Sequence, residues 1–209
     1  CSVASEPQGI IPSGRDNLIE KAFRAFWCEF GFSEPPCGFH CLVHKRIPIG
    51  GGLGGGSADA GAVMRHLLLI FGDLLGEELG LSRDELRGRM LHAALSCGAD
   101  VPYSCLGGLC WVGGIGGEVV PIQSARPTAI KVLLMVPPIS VPTVEFYNRF
   151  RAEHPTVNSL VDDTGRQFGR NGETNLLDVV ENDFESTAVR IAPKIGEGLR
   201  IAREVFPRG

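Results

Sequence analysis

A run of glycines followed at once by a helical pattern is the part of this sequence whose residue types and spacing suit chemistry. Residues 50 to 56 are Gly-Gly-Gly-Leu-Gly-Gly-Gly, and Ser57, Ala58 and Asp59 follow. Glycine lets backbone N–H groups turn toward a ligand and lets phosphate oxygens approach without meeting a Cβ atom. A helix that begins directly after such a loop adds unpaired N–H groups and the positive end of its dipole. The spacing therefore predicts a loop that binds the phosphate groups of a nucleotide.

Two common nucleotide-binding loops fit this spacing poorly. A P-loop needs a lysine followed by Ser or Thr after its last glycine, whereas Gly56 is followed by Ser57 with no lysine between them. A dinucleotide fingerprint, G-x-G-x-x-G, starts at Gly50, but a run this rich in glycine matches that pattern by chance. The fingerprint also needs an acidic residue at the end of a second strand about twenty positions on. Asp73 is near that distance but follows a predicted helix.

The loop is predicted to lie between a strand and a helix. Residues 39 to 46, bounded by Gly38 and Pro48, are predicted to form the strand. After the loop, apolar residues recur at the spacing of one buried helix face, with Ser57 as the N-cap and Asp59 in the first turn. The apolar positions of that face are Ala60, Val63, Met64, Leu67, Leu68 and Phe71.

Further elements are predicted from capping signals and periodicity. Asn17 with Glu20, and Ser82 with Glu85, match capping boxes that start two more helices. The remaining predicted elements are a hairpin in 107–122, a buried strand in 129–136, a surface loop in 154–172, and helices in 181–193 and 195–206.

Two motifs then make the sequence similar to a known family. Residues 45 to 60, KRIPIGGGLGGGSADA, resemble the phosphate loop of the GHMP kinases, and residues 98 to 103, GADVPY, resemble the family's GADVPF signature. Residues 16 to 19 match its upstream DNL segment, and residues 139 to 143 resemble a later stretch that approaches the substrate. Within the family, the GLGGGS core is most similar to the branch of 4-diphosphocytidyl-2-C-methyl-D-erythritol kinases.

The resemblance implies a fold and a domain organisation. We expect the α+β GHMP kinase architecture, with a ribosomal S5 domain 2-like ATP-binding domain in residues 1–125. A ferredoxin-like C-terminal domain is expected in residues 126–209. The family's opening lysine-bearing strand and its late glycine-rich loop have no counterpart here. We therefore expect this chain to be an internal fragment with both domains truncated.

The resemblance also implies a reaction and the residues that perform it. The γ-phosphate of ATP, bound with Mg²⁺, would pass to the 2-hydroxyl of 4-diphosphocytidyl-2-C-methyl-D-erythritol, in the non-mevalonate route to isoprenoids. Asp100 is the expected catalytic base, and Thr143 is expected to bind the substrate. The residues expected to bind ATP are Asn17, Lys45, Pro48, Gly50, Gly51, Gly52, Leu53, Gly54, Gly55, Gly56, Ser57 and Ala58.

Several of these residues also have an ordinary structural interpretation. Asn17 is equally a helix cap, Asp100 a turn or N-cap aspartate, and Lys45 a strand-end charge in solvent. Asp59 suits the helix dipole. Two other functions also stay open: another GHMP kinase acting on homoserine or a sugar, and a non-catalytic, truncated nucleotide-binding relative.

Composition limits the remaining function classes. A net charge of −4 and a pI near 5.8 give no general attraction to nucleic acid. The most apolar run, residues 67 to 75, is interrupted by Gly72 and Asp73, so no membrane span is predicted. The seven cysteines form no regular framework, which favours reduced thiols and a cytoplasmic location, with a plastid as the alternative. No pattern in the sequence predicts an oligomeric state.

Four potential zinc ligands lie close together at Cys37, His40, Cys41 and His44. In a strand, successive side chains point to opposite faces, so the two cysteines and the two histidines are on different faces. All four cannot bind one ion, and an ordinary strand without a metal is the preferred interpretation.

Overall fold

The computed structural model describes residues 2–122, 132–137, 143–153 and 182–206. The chain divides into two compact units: the first is Cys1–Ile47 with Gly54–Gln123, and the second is Pro48–Leu53 with Ser124–Gly209. The described residues form seven α-helices and four strands, so the fold is α+β, as predicted. The predicted domain boundary after residue 125 stays a prediction.

The first unit contains four helices and two small sheets. Its helices are α1 (Leu18–Glu29), α2 (Gly55–Leu79), α3 (Arg83–Cys97) and α4 (Val101–Leu106). Its strands are β1 (Ser2–Glu6), β2 (His40–His44), β3 (Cys110–Gly113) and β4 (Glu118–Pro121). β1 pairs with β2 in parallel, and β3 pairs with β4 as the predicted antiparallel hairpin.

An aromatic cluster on α1 fills the core of the first unit. Phe23, Phe26 and Trp27 are almost fully buried. The Trp27 ring lies 5.0 Å from the ring of Phe71 on α2 and 5.3 Å from that of Phe32, both edge to face. Such pairs contribute about 0.5–1.5 kcal/mol beyond the apolar area that they bury. The apolar stripes predicted on α1 and α2 therefore face each other.

The histidines of β2 lie on its exposed face, beside residues of β1. The register pairs Ser2 with His40 and Glu6 with His44. His40 Nδ1 is hydrogen bonded to the Ser2 hydroxyl at 2.8 Å, and His44 Nδ1 lies 2.8 Å from Glu6 Oε2. Within the described ranges no three His, Cys, Asp or Glu side chains are grouped to hold a metal ion. The cysteines described there are free thiols.

The second unit contains α5 (Thr143–Glu153), α6 (Glu185–Ile191) and α7 (Pro193–Val205). The ring of Phe184 packs on Phe146, Tyr147 and Phe150 of α5. Glu153 accepts hydrogen bonds from the Thr187 hydroxyl and the Arg190 guanidinium, both at 2.6 Å. The Thr187 hydrogen bond, followed by that of Arg190, lowers the pKa of Glu153 to about 2.

Some predictions in the second unit need correction. Residues 132–136, the described part of the strand expected in 129–136, form no strand, and Val132 and Leu133 are 71% and 70% exposed. Within the described residues, this apolar run pairs with no other strand. The helix expected from residue 181 begins at Glu185, and the last helix begins at Pro193, because proline suits the first position of a helix. The loop predicted in 154–172 lies outside the described residues.

Where the structure describes the chain, none of the helices combines the length and hydropathy needed to cross a bilayer.

Candidate phosphate-binding and catalytic site

The start of α2 leaves its backbone amides open. Gly54 occupies the N-cap position with φ 66° and ψ 16°, a left-handed conformation that glycine adopts without strain. The first intrahelical hydrogen bond runs from the Ala58 N–H to the Gly54 carbonyl at 2.8 Å. The N–H groups of Gly55, Gly56 and Ser57 thus have no acceptor within the helix, and Gly54 has no side chain to supply one.

The predicted N-cap at Ser57 is therefore wrong. Ser57 is the third residue of α2, because the left-handed turn at Gly54 starts the helix at Gly55. This shift places two more glycines inside the first turn. It leaves the Ser57 hydroxyl at the open end of the helix, where it can contact a bound ligand instead of the backbone.

The loop before Gly54 is exposed and has the same backbone feature. Gly50 and Gly52 have φ 72° and 69°, so left-handed backbone recurs at every second residue up to Gly54. Alternation of this kind forms the concave arrays of N–H groups that bind anions. Residues 48–53, which belong to the second unit, are all exposed.

Two glycines of the first turn are explained by packing as well as by ligand approach. A Cβ atom on Gly55 would lie 3.1 Å from Ile47 Cγ2 and 3.3 Å from Lys45 Nζ. A Cβ on Gly56 would lie 3.2 Å from Leu18 Cδ1. All three distances are shorter than ordinary contacts of a Cβ atom. The absence of side chains thus lets the start of α2 lie directly against β2's end and α1.

Lys45 places a positive charge beside this helix end. Its Nζ donates a hydrogen bond to Asp59 Oδ2 at 2.6 Å, and its side chain is only 8% exposed, against 31% for Asp59. The alternative interpretation of Lys45 as a solvated strand-end charge is thus wrong, as is the placement of Asp59 in the first turn. Asp59 is the fifth residue of α2, so it turns toward the strand end and compensates an ammonium held near the positive helix terminus.

Asn17 is occupied as a helix cap. Its Oδ1 accepts from the Ile19 N–H at 2.8 Å, its Nδ2 donates to the Pro12 carbonyl at 2.7 Å, and the residue is 4% exposed. The predicted capping box is incomplete because Glu20 accepts hydrogen bonds from Arg24 instead of from the Asn17 backbone. A contact between Asn17 and the nucleotide stays a prediction.

Asp100 has an exposed carboxylate at the N-cap position of α4. Its side chain makes no capping hydrogen bond, and no ion pair or hydrogen bond of the carboxylate occurs within residues 2–122. Only its backbone carbonyl is used, accepting from the Ser104 N–H at 3.1 Å and the Ser104 hydroxyl at 2.8 Å. The carboxylate is therefore free to accept a proton from a ligand.

A close contact between α2 and α4 links these two helix starts. A Cβ on Gly61 would lie 2.6 Å from the Ser104 carbonyl carbon and 2.8 Å from its oxygen. Gly61 is less than two turns from the start of α2, and Ser104 is one turn after Asp100. Sequence reasoning gave Gly61 no role. The available signal was a glycine inside a helix, which costs about 1 kcal/mol relative to alanine and so calls for a packing reason.

Thr143, the predicted substrate-binding residue, is the first residue of α5 in the second unit. The rest of the stretch that suggested its role, residues 139 to 142, lies outside the described residues.

Comparison with known proteins supports the interpretation of the motifs. Residues 17–108 match the model of the GHMP kinases N terminal domain. The 4-diphosphocytidyl-2-C-methyl-D-erythritol kinase of Chlorobium phaeovibrioides is 37% identical over 179 residues, which is 84% of this chain and 56% of that protein. The kinase of the same name from Chlorobium chlorochromatii is 34% identical over 190 residues, 88% of this chain and 59% of that protein.

A solved structure agrees with these relatives. The crystal structure of a 4-(cytidine 5'-diphospho)-2C-methyl-D-erythritol kinase matches with a TM-score of 0.58 and 28% identity. The match covers 97% of this chain and 65% of that one. The chain spans a little more than half the length of the curated relatives that it matches.

Proposed function

Because this chain belongs to the GHMP kinase family, we propose that it provides the phosphate-binding loop and the catalytic base of an ATP-dependent small-molecule kinase. The proposed acceptor is the 2-hydroxyl of 4-diphosphocytidyl-2-C-methyl-D-erythritol, since relatives with that kinase name match over most of this chain. The observation that carries the proposal is the uncapped start of α2, which leaves three backbone N–H groups open behind a glycine loop.

Phosphoryl transfer needs positive potential around the phosphates and an acceptor hydroxyl held in line. The N–H groups of Gly55, Gly56 and Ser57 would hold the β- and γ-phosphates. Lys45 Nζ also lies beside the first turn, where its charge is compensated by the ion pair with Asp59. No acidic residue lies in the first turn of α2 to oppose an anion. These features fit a triphosphate.

Magnesium is part of the proposal. Mg²⁺ bound with ATP would neutralise phosphate charge, and it prefers oxygen ligands while keeping several waters. The Ser57 hydroxyl, at the open end of α2, is the group that we expect to reach the metal or a phosphate oxygen. Asp59 is committed to Lys45 and is not assigned this role.

Asp100 would act as the general base. As the bond between the acceptor oxygen and the γ-phosphorus forms, the bond to the β,γ-bridging oxygen breaks and ADP leaves. The proton of the acceptor hydroxyl passes to the Asp100 carboxylate, which has no competing partner in the described part of the chain. A carboxylate in contact with a substrate hydroxyl is the group that kinases use for this proton.

A substrate panel tests the proposed reaction. The full-length protein is assayed for ADP release with ATP, Mg²⁺ and each of four alcohols: 4-diphosphocytidyl-2-C-methyl-D-erythritol, homoserine, galactose and mevalonate. We expect the first to give the highest kcat/KM. A preference for any of the others would assign the protein to another branch of the family. ATP binding without turnover on any alcohol would favour a non-catalytic relative.

The proposal includes a small-molecule acceptor, no nucleic-acid partner and a cytoplasmic location. The net charge of −4 supports the absence of a polyanion partner, because any phosphate binding must then come from the local loop.

A further inference from the structure

We propose that Gly116 is a positioning residue that holds the Asp100 segment in place from a neighbouring element, the β3–β4 hairpin. The inference rests on the proposed role of Asp100 as the base. Gly116 does not contact a ligand in this scheme. It acts by allowing a backbone approach that any larger residue would prevent.

Gly116 seats the hairpin turn against the residue that precedes Asp100. It is buried, with φ 93°, and a Cβ atom there would lie 2.1 Å from the carbonyl oxygen of Ala99 and 2.8 Å from its carbonyl carbon. Both are backbone atoms, so no side-chain rotation can relieve the clash. The next residue, Gly117, lies close to α3, because its Cβ would be 2.9 Å from Leu95 Cδ2. The turn is therefore packed against the link between α3 and α4.

Positioning by packing matters here because Asp100 has little else to hold it. Its carboxylate makes no hydrogen bond within residues 2–122, and α4 has six residues, fewer than a helix needs to be stable alone. The contact between Gly116 and Ala99 therefore helps to set the backbone position from which the carboxylate projects. A displacement of the order of 1 Å in a catalytic group can reduce turnover roughly a hundredfold.

The first test compares Gly116→Ala with Gly31→Ala in the full-length protein. Gly31 has nearly the same backbone conformation, φ 90°, and no atom within 4 Å of its Cβ position. Both variants carry the same backbone strain, but only the first meets Ala99. We expect Gly116→Ala to lower kcat roughly a hundredfold with KM for ATP nearly unchanged, and Gly31→Ala to keep kcat. Equal kcat values in the two folded variants would overturn the proposal.

A double variant separates positioning from a general structural effect. Combined with Asp100→Asn, Gly116→Ala should cause no further loss of turnover, because it acts through a base already removed. A further loss would contradict the proposal. If Asp100→Asn alone keeps full turnover, the role of Asp100 fails, and the shift of α4 in a crystal structure of Gly116→Ala then tests the contact alone. Should circular dichroism show that a glycine variant does not fold, Ser104→Ala replaces it under the same kcat criterion.

Discussion

The helices of the first unit start in two different ways. α1 and α3 are capped by their own side chains, through Asn17 and through the complete Ser82 capping box. α2 and α4 have no side-chain cap, although α4 has an aspartate, Asp100, at the N-cap position. The capped starts use their amides internally. The uncapped starts leave backbone amides at α2 and a carboxylate at α4 available for a ligand.

The capped and uncapped helix starts also differ in the charged residues near them. α3 has Asp84 and Glu85 in its first turn, where carboxylates complement the positive end of the helix. α2 has no acidic residue in its first turn, and Lys45 lies beside it. A cap is worth about 1 kcal/mol, so its absence from a 25-residue helix is a small loss of stability. An uncapped helix N-terminus with positive potential is therefore a candidate ligand site when the neighbouring helices are capped.

The largest effect is expected from Asp100→Asn. Loss of the base should lower kcat by about 10²–10⁴-fold, with KM for ATP nearly unchanged because the phosphate contacts remain. Steady-state kinetics on the full-length protein measures both. Asp84→Asn, at the capped start of α3, is the matched control and should keep kcat. Full turnover in Asp100→Asn would show that the uncapped start of α4 has no catalytic role.

The next effect is expected from Gly54→Ala. An alanine in the left-handed conformation of Gly54 costs about 1–2 kcal/mol. If the turn relaxes to avoid this strain, the N–H groups at the start of α2 move, and ATP affinity should fall roughly tenfold. Gly80, at the other end of α2, has φ 65° and no atom within 4 Å of its Cβ position. Gly80→Ala should therefore lower the melting temperature similarly without changing KM for ATP. If both variants keep the wild-type KM, the open start of α2 does not bind the triphosphate.

A smaller effect is expected at the capped start. Ser82→Ala removes the hydroxyl that accepts from the Glu85 N–H at 3.3 Å. Loss of this cap should lower the free energy of unfolding by about 1 kcal/mol, measured by urea denaturation, and should leave kcat and KM for ATP as they are. A change in KM would mean that the start of α3 also serves the ligand, which would weaken the comparison.

The smallest effect is a pH dependence at the same cap. The Ser82 hydroxyl, and then the Ser82 backbone N–H, hold the pKa of Glu85 below its ordinary value of 4.5. A lowered pKa in the folded state stabilises the fold above pH 4.5, and this contribution is lost as pH falls below that value. Unfolding free energies at several pH values from neutral down to acid should therefore fall less steeply for Glu85→Gln than for the wild type. Glu153, whose pKa is also low, is present in both proteins, so the difference between their slopes is due to Glu85. Identical slopes would contradict this prediction.

Local patterns predicted α1, α2, α3, α6, α7 and the hairpin, because each is encoded within one short window, whereas α4 and α5 were not predicted. The apolar stripe of α2 and the Ser82 capping box are examples, and both are confirmed. The glycine loop was predicted from its composition and spacing, whereas Asp100 was recognised by resemblance to a family, since a turn aspartate has no distinctive local pattern of its own. The loop's positive φ values follow from its composition, yet the start of α2 was placed three residues late.

The parts that could not be predicted depend on contacts between distant residues. Lys45 is buried because Asp59, fourteen positions later, turns back to meet it. Gly61 is explained only by Ser104, and Gly116 only by Ala99, neither of which is a sequence neighbour. The apolar run of residues 129–136 predicted a strand, but a strand also needs a partner, and sequence periodicity says nothing about that partner.

The two tryptophans of the chain, Trp27 and Trp111, both belong to the first unit. The sequence of the second unit contains one tyrosine, Tyr147, and no tryptophan. Fluorescence excited selectively in tryptophan therefore reports on the first unit alone. Trp27, enclosed by rings, should shift its emission to longer wavelength when that enclosure opens to water. Intrinsic fluorescence and far-ultraviolet dichroism recorded on one sample would thus reveal whether the two units melt together or in sequence, without any attached dye.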